Sequence, residues 1–376
     1  MTVQMSTPRA DHLTPAAVPF WAGIRTVASL DLRQRWRAAR TRWVLLTWIV
    51  AVYGFVGLTW LATHQMTIQS QASVFYGVTM FVVLTLALLV APSLSASAIS
   101  GDRADGVLVS LQVTLLSPAQ IVLGKFLAAW AAALGFLAIA APVLLWALLA
   151  GGVSLGTLLV ALLSLILITG TVCALGLAIS ALTARVVSST TLTYVVLGFL
   201  VIGIPLLFGL TLPLTQSTES YRVLRHDASN WRPSNWRPAP GTTEPPPCVE
   251  ATELRTMVHT ERTWWLLAAN PFVLVADAAP GARSLRAGTS EPLGIIREGV
   301  RIARRGATEP IVECWTGTET PIEDPRSSDD SARRLDDPGC PFGVTTYALL
   351  GAGALAIATR RLRTPCHKLP RGTRIA

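Results

Sequence analysis

Ile99-Ser-Gly-Asp-Arg-Ala-Asp-Gly-Val-Leu108, continuing to Leu123-Gly-Lys-Phe126, is a polar island between two long apolar runs. It carries its own helix signals. Asp102, Arg103 and Asp105 open a segment that goes on as Gly106-Val-Leu-Val-Ser-Leu-Gln-Val-Thr-Leu-Leu116. Leu108, Leu111 and Leu115 recur at three- and four-residue spacing, which gives a short helix one apolar face. Ser117-Pro118-Ala119-Gln120 then reads as an N-cap, a proline at the first helical position and a glutamine at the third. That is a capping box, and it restarts a helix that runs into the next apolar segment. A loop that only turned the chain around would need a few polar residues. This one is predicted to present a rigid surface on one side of a membrane.

The totals agree with a membrane setting. Of 376 residues, 51% are hydrophobic and 14% charged, against about 25% charged in soluble domains; mean hydropathy is +0.49. The net charge of +9 does not signal nucleic acid. The basic residues sit at the edges of apolar runs rather than in a patch interleaved with aromatics.

Six apolar runs are predicted to span: 44–63, 74–98, 126–150, 154–182, 186–210 and 343–359. A crossing needs about 20 apolar residues; the last run is short and borrows Pro341 and Phe342. None of the six contains Asp, Glu, Lys, Arg or His. Ion-driven carriers and intramembrane enzymes keep ionisable groups at mid-depth, so the driving energy is expected to come from elsewhere. The expected fold is an all-α polytopic membrane protein with six transmembrane helices, an N-terminal interfacial helix, a cytoplasmic coupling helix in loop 99–125 and a large external loop. Basic residues precede the first run, flank loop 99–125 with Arg103 and Lys125, include Arg185, and fill the tail 360–376. Loops 64–73 and 151–153 have none. The positive-inside rule then places both termini in the cytoplasm of a cell (plasma) membrane protein.

Residues 1–23 read as a flexible polar tail and lack the order of a cleaved signal. Between 25 and 43, six arginines alternate with a stripe of Ala28, Leu32, Trp36, Ala39 and Trp43. Such a helix lies among lipid headgroups, and Arg35, Trp36, Trp43 and Lys125 are candidate interface residues. A solvated basic leader that merely sets orientation fits the same residues. In the fourth run Gly170, Cys173, Ala174, Gly176, Leu177, Ala178 and Ser180 form a small face suited to close helix contact. Pro92, Pro142 and Pro205 are candidate kinks.

The external loop 211–342 is rich in proline, arginine and acidic residues and is expected to be largely irregular. Within it, 263–279 contains Trp264, Trp265, Asn270 and Pro271. The Asn-Pro break favours two short helices re-entering the outer leaflet over a seventh crossing; an amphipathic surface segment is the other reading. Cys248, Cys314 and Cys340 permit one disulfide there, with the pairing open.

Asp102-Arg-Ala-Asp-Gly-Val-Leu-Val-Ser-Leu111, Thr114-Leu-Leu-Ser-Pro118 and Ile121-Val-Leu-Gly-Lys125 together resemble the first cytoplasmic loop of bacterial type-2 ATP-binding-cassette exporter permeases. The family often has Thr-Pro-Leu-Ser, whereas here proline follows serine. The six-span order, Trp264-Trp-Leu-Leu-Ala-Ala-Asn-Pro-Phe272 and Thr359-Arg-Arg-Leu-Arg-Thr-Pro365 extend the resemblance. It implies a coupling helix carrying Asp102, Arg103, Asp105, Gly106, Leu108, Leu111, Ser117 and Pro118, which would rest on a separate cytoplasmic ABC ATPase subunit. It also implies a homodimer, or a heterodimer with a paralogous permease, and re-entrant helices between the fifth and sixth spans. Gly124-Lys125 is no phosphate-binding loop, so ATP would be bound by the partner and no cofactor or metal by this chain. The chain would then be a transporter subunit and not an enzyme. Its charge-free spans suit an amphipathic or uncharged cargo. A non-transporting receptor using the external loop is the alternative.

Overall fold

The structure, a computed structural model, describes residues 19–37, 39–106, 116–226, 248–277, 292–306, 311–313 and 340–363. Leu108, Leu111, Cys314 and the basic tail beyond Arg363 lie outside these residues.

Helix α1 (Phe20–Arg37) precedes the first span, α2 (Ala39–Thr63). The helix starts at Phe20, so the polar tail expected to reach residue 23 ends sooner. Its buried side is Gly23, Ile24 and Val27 rather than the alanine–tryptophan stripe, because that side meets another helix closely. The second span, α3 (Ile68–Ser95), passes through a turn into the short α4 (Ser100–Ala104). The third begins at Pro118 rather than 126, as α5 (Pro118–Ala138), and breaks before α6 (Ala141–Leu149). There Tyr53 donates to the Ile139 carbonyl at 3.1 Å, which satisfies an acceptor that the break leaves without its helical partner. The fourth span is α7 (Leu155–Leu182). The fifth is α8 (Val186–Gly198), a π-helical turn (Phe199–Gly203) and α9 (Ile204–Thr211). Pro142 and Pro205 each sit in the first turn of a restarted helix, where a missing N–H costs nothing.

Among the described residues six helices are long and apolar enough to cross a membrane, which makes this an all-α polytopic membrane protein. The small face of α7 is its most buried side: Gly170, Cys173, Ala174, Gly176, Ala178 and Ser180 are all covered. A Cβ built on Gly176 would overlap Ser95 Oγ and lie 3.2 Å from Ala96 N. The second and fourth spans therefore touch nearly backbone to backbone.

Beyond the fifth span the described residues form strands and short helices. β1 (Gln216–His226) pairs antiparallel with β2 (Cys248–Val258), from Gln216 opposite Val258 to His226 opposite Cys248. Two 3-10 turns follow, Thr260–Arg262 and Trp264–Ala269, then α10 (Pro271–Ala276) and α11 (Pro292–Arg305). The two-residue β3 (Ile311–Val312) joins β1 in parallel. The proline-rich stretches near 230–247 and the acidic stretch 319–337 that suggested irregular chain lie outside the described residues, and the polar residues of the strands are used in pairs. Thr218 meets Thr256 at 2.9 Å, Arg225 pairs with Glu253, and Arg255 bridges Glu253 and Glu313. Such pairs stabilise a ladder without a large apolar content. The last span, α12 (Cys340–Leu362), packs along α7, where Thr171 donates to the Tyr347 carbonyl at 3.0 Å.

Candidate functional site

Loop 99–125 is anchored at both of its ends. At its start, Ser180 Oγ on α7 accepts from the backbone N–H groups of Ile99 and Ser100, at 3.1 and 2.9 Å. Two of the donors that open α4 thereby find an acceptor inside the bundle. Ser189 of α8 donates to the Ala96 carbonyl at 2.5 Å, and Arg103 donates to the Thr183 carbonyl at 3.0 Å. At its finish the capping box forms: Gln120 N–H donates to Ser117 Oγ at 3.3 Å, and Ser117 N–H to Gln120 Oε1 at 2.7 Å. Pro118 occupies the first turn. The Gln120 amide reaches further, donating to the Phe20 carbonyl at 3.2 Å, so one side chain joins α5 to the start of α1.

The charges of the loop do not all face outward. Lys125, whose side chain is 6% exposed, lies 2.6 Å from Asp102 Oδ2 and 4.0 Å from Asp31 Oδ1. Asp31 in turn holds Arg35 at 2.8 Å, and Arg35 donates to the Leu94 carbonyl at 2.6 Å. Two cations and two carboxylates thus form a charge-balanced chain across α1, α3, α4 and α5. A buried charge is tolerated when its partner is this close. α1 can lie on α5 because Gly124 has no side chain: a Cβ there would come 2.6 Å from Val27 Cβ.

Of the expected loop residues, then, Asp102 and Arg103 point into the bundle, while Asp105 and Gly106 are exposed. Gly106 adopts φ +71°, a left-handed conformation in which a side chain is strained. Ser117 is exposed and Pro118 half-buried. Among the interface candidates, Trp36 and Trp43 are exposed on the outside of the helices. Arg35 and Lys125 belong to the charge chain instead.

Asp31 and Ser189 were not singled out in the sequence, nor were Ser180's bonds to the start of α4 or Gln120's second role. Asp31 had a signal, as the one acidic residue among the arginines of 25–43. Lys125 had another, being one of two lysines in the chain, with Lys368. A compact ammonium fits a tight pocket that a guanidinium fork does not.

The segment 263–277 forms two short helices that break at Asn270, each six residues long. At about 1.5–2 Å per residue neither could cross a membrane. They pack on the bundle: Phe272 lies 5.1 Å from Phe81 of α3, and Tyr347 donates to the Ala269 carbonyl at 2.9 Å. Asn270, 4% exposed, caps α10 by accepting from Phe272 N–H, while its amide donates to the Val201 carbonyl of the π turn, both at 2.9 Å. Pro271 is buried beneath it. Trp264 packs between Phe342 and the Arg304 guanidinium, and Trp265 is half exposed, donating to the Arg262 carbonyl at 3.1 Å. Asn270→Ala removes a cap and orphans a buried carbonyl. We expect it to cost about 2–3 kcal/mol, read as a lower melting temperature of the purified protein; an unchanged melt would refute the role.

A second polar constellation lies in the sheet. Ser217 Oγ is 2.6 Å from His259 Nε2, and His259 Nδ1 is 2.6 Å from Glu261 Oε1. The order hydroxyl, imidazole, carboxylate is that of a nucleophilic triad. Here, however, the hydroxyl also lies 2.8 Å from Glu219 Oε1, which competes with the imidazole for its single proton. The geometry fastens the end of the β1–β2 ladder to the Thr260–Arg262 turn. Compared with known proteins, the sequence matches no protein-family model and no curated protein.

Proposed function

We propose that this chain is the membrane-spanning subunit of an ATP-binding-cassette exporter in the plasma membrane, with both termini and loop 99–125 in the cytoplasm. A separate ATPase would bind beneath the loop and supply the energy. The observation that carries this reading is the loop itself. Its two ends are tied to the third and fourth spans and to α1 by Ser180, Gln120 and the Lys125–Asp102 pair, so a push on its exposed part would move the bundle as a unit. The charge-free spans support an external energy source. The first and fifth spans are the least buried and leave faces for a second permease copy or for lipid. The cargo we expect is amphipathic or uncharged.

One observation favours a second reading, a non-transporting receptor. The external sheet has eleven-residue strands, with Leu254 largely exposed, and offers a built surface for a ligand. Purification of the full-length chain from its own membranes separates the two. A stoichiometric nucleotide-binding subunit that hydrolyses ATP supports the exporter; a signalling kinase, or no soluble companion, supports the receptor. Asp105→Arg is the variant to use, because Asp102 and Arg103 also hold the fold. It should leave the melting temperature unchanged and lower permease-dependent ATP hydrolysis roughly tenfold, the scale of a buried interface charge reversal. Undiminished hydrolysis in that variant would reject the loop as the docking element.

A further inference from the structure

The fifth span is not a single rod. Its first half, α8, packs against α7, α3 and α4, whereas its second half, α9, packs on the Trp264–Ala269 turn. The π turn Phe199–Gly203 joins the two. π turns inside helices recur at functional sites, and this one has the makings of a joint. Gly198 precedes it, Gly203 ends it and Pro205 follows two residues on, residue types at which helices bend. None of the residues of the turn is buried, and Phe199 and Ile202 are exposed. Side-chain packing therefore does little to hold the joint at one angle.

What holds it is polar. Pro205 brings no N–H, and the carbonyl four residues before it, that of Val201, accepts from the Asn270 side-chain amide at 2.9 Å. Among the described residues this is the only hydrogen bond from 199–211 to a residue outside the fifth span. Asn270 itself is fixed to the bundle. It caps α10, the Tyr347 hydroxyl donates to the neighbouring Ala269 carbonyl, and Leu274 and Val275 of α10 lie in the main core. α8 is fixed as well, by Ser189 on the Ala96 carbonyl. The piece between these anchors is α9, with Leu206 and Leu210 exposed.

We propose that the π turn is a hinge in the fifth span and that Asn270 is its latch. While the amide holds the Val201 carbonyl, α9 stays seated on the Trp264–Ala269 turn. When that bond breaks, α9 swings off the turn and α8 keeps its place beside loop 99–125. The hinge belongs to the fold and stands under either reading of the function.

The test is hydrogen–deuterium exchange of the full-length protein in mild detergent. Asn270→Ser keeps an oxygen to cap α10 but is too short to reach Val201. Exchange across 199–211 should rise about fivefold, the scale of one net hydrogen bond, with α7 and α8 unchanged. Hydroxyl-radical labelling of the side chains of 264–269, on which α9 sits, should rise with it. Pro205→Ala returns an N–H to the span, and in that background Asn270→Ser should have little effect. Exchange at 199–211 that ignores Asn270→Ser overturns the proposal, as does a rise shared by α7 and α8, which would make Asn270 a general stabiliser. Faster exchange without new labelling would reject the swing. An effect that Pro205→Ala leaves at full size would show that the amide does not stand in for the missing donor, and would reject the latch.

Discussion

Lys125→Met is expected to leave little folded protein in the membrane. The substitution keeps a side chain of similar length and removes the cation from a site that is 6% exposed. Asp102 and Asp31 then lose their shared partner while 24% and 17% exposed. Removing one member of a buried pair typically costs 3–5 kcal/mol. Because these carboxylates keep some access to water, about 2–3 kcal/mol is the expected loss here. That is a large share of the stability of an ordinary domain. The measurement is the melting temperature in detergent, together with the yield from membranes. Removing both charges at once, Lys125→Met with Asp102→Asn, should recover much of the loss, since neither leaves an uncompensated ion. Lys125→Arg should not rescue as well, for the longer fork does not fit where the ammonium sits 2.6 Å from Asp102. If Lys125→Met melted like the parent protein, the charge chain would have no structural role, and the rigid anchoring of loop 99–125 would go with it.

Gly176→Leu should be at least as damaging, for steric rather than electrostatic reasons. At Gly176 even a single methyl would run into Ser95 and the Ala96 backbone. Overpacking in a well-filled interior costs about 1–3 kcal/mol where neighbours can shift. Here the neighbours are Ser95 and the Ala96 backbone, and Ser180 and Ser189 tie the chain from Ala96 to Ser100 to α7 and α8. A leucine must push α3 from α7 and break those bonds. We expect loss of folded protein at growth temperature and about 3 kcal/mol or more of destabilisation if any is recovered. Gly353→Leu is the matched control, since nothing lies within 4 Å of a Cβ at that position; it should change stability by no more than about 0.5 kcal/mol. Equal tolerance at the two glycines would mean that α3 and α7 are not in close contact.

What could be read from the chain and what could not follow from the range of the forces involved. The capping box at Ser117–Gln120 was legible because all its parts lie within four residues, and the structure forms it. The break at Asn270-Pro271 was legible for the same reason: proline constrains its immediate neighbours. The two short helices follow. The small face of α7 was visible as a pattern. That Gly176 opposes Ser95 was not, because the pairing depends on which helices become neighbours. The sheet was not singled out in the sequence. Its strands carry many polar and charged residues, and only the pairing of the strands, with Thr218 opposite Thr256 and Arg225 reaching across to Glu253, shows that those residues satisfy one another. The charges of loop 99–125 were recognised as a cluster but not for their direction. Asp102 turns inward because Lys125 waits there, and Lys125 can be buried only because α1 brings Asp31 and Arg35 alongside.

Hydropathy, acting residue by residue along the chain, therefore determined the membrane class, the number of long apolar helices and the interruption between the fifth and sixth. Each of these is a sum over neighbours in sequence, and water or lipid reads that sum without needing a fold. The tertiary structure alone decided which polar groups are partners: Lys125 with Asp102, Ser180 with the start of α4, Asn270 with the Val201 carbonyl of the π turn. Those bonds join residues that are distant along the chain, and they acquire their strength only once packing has removed the water that would otherwise compete for every one of them.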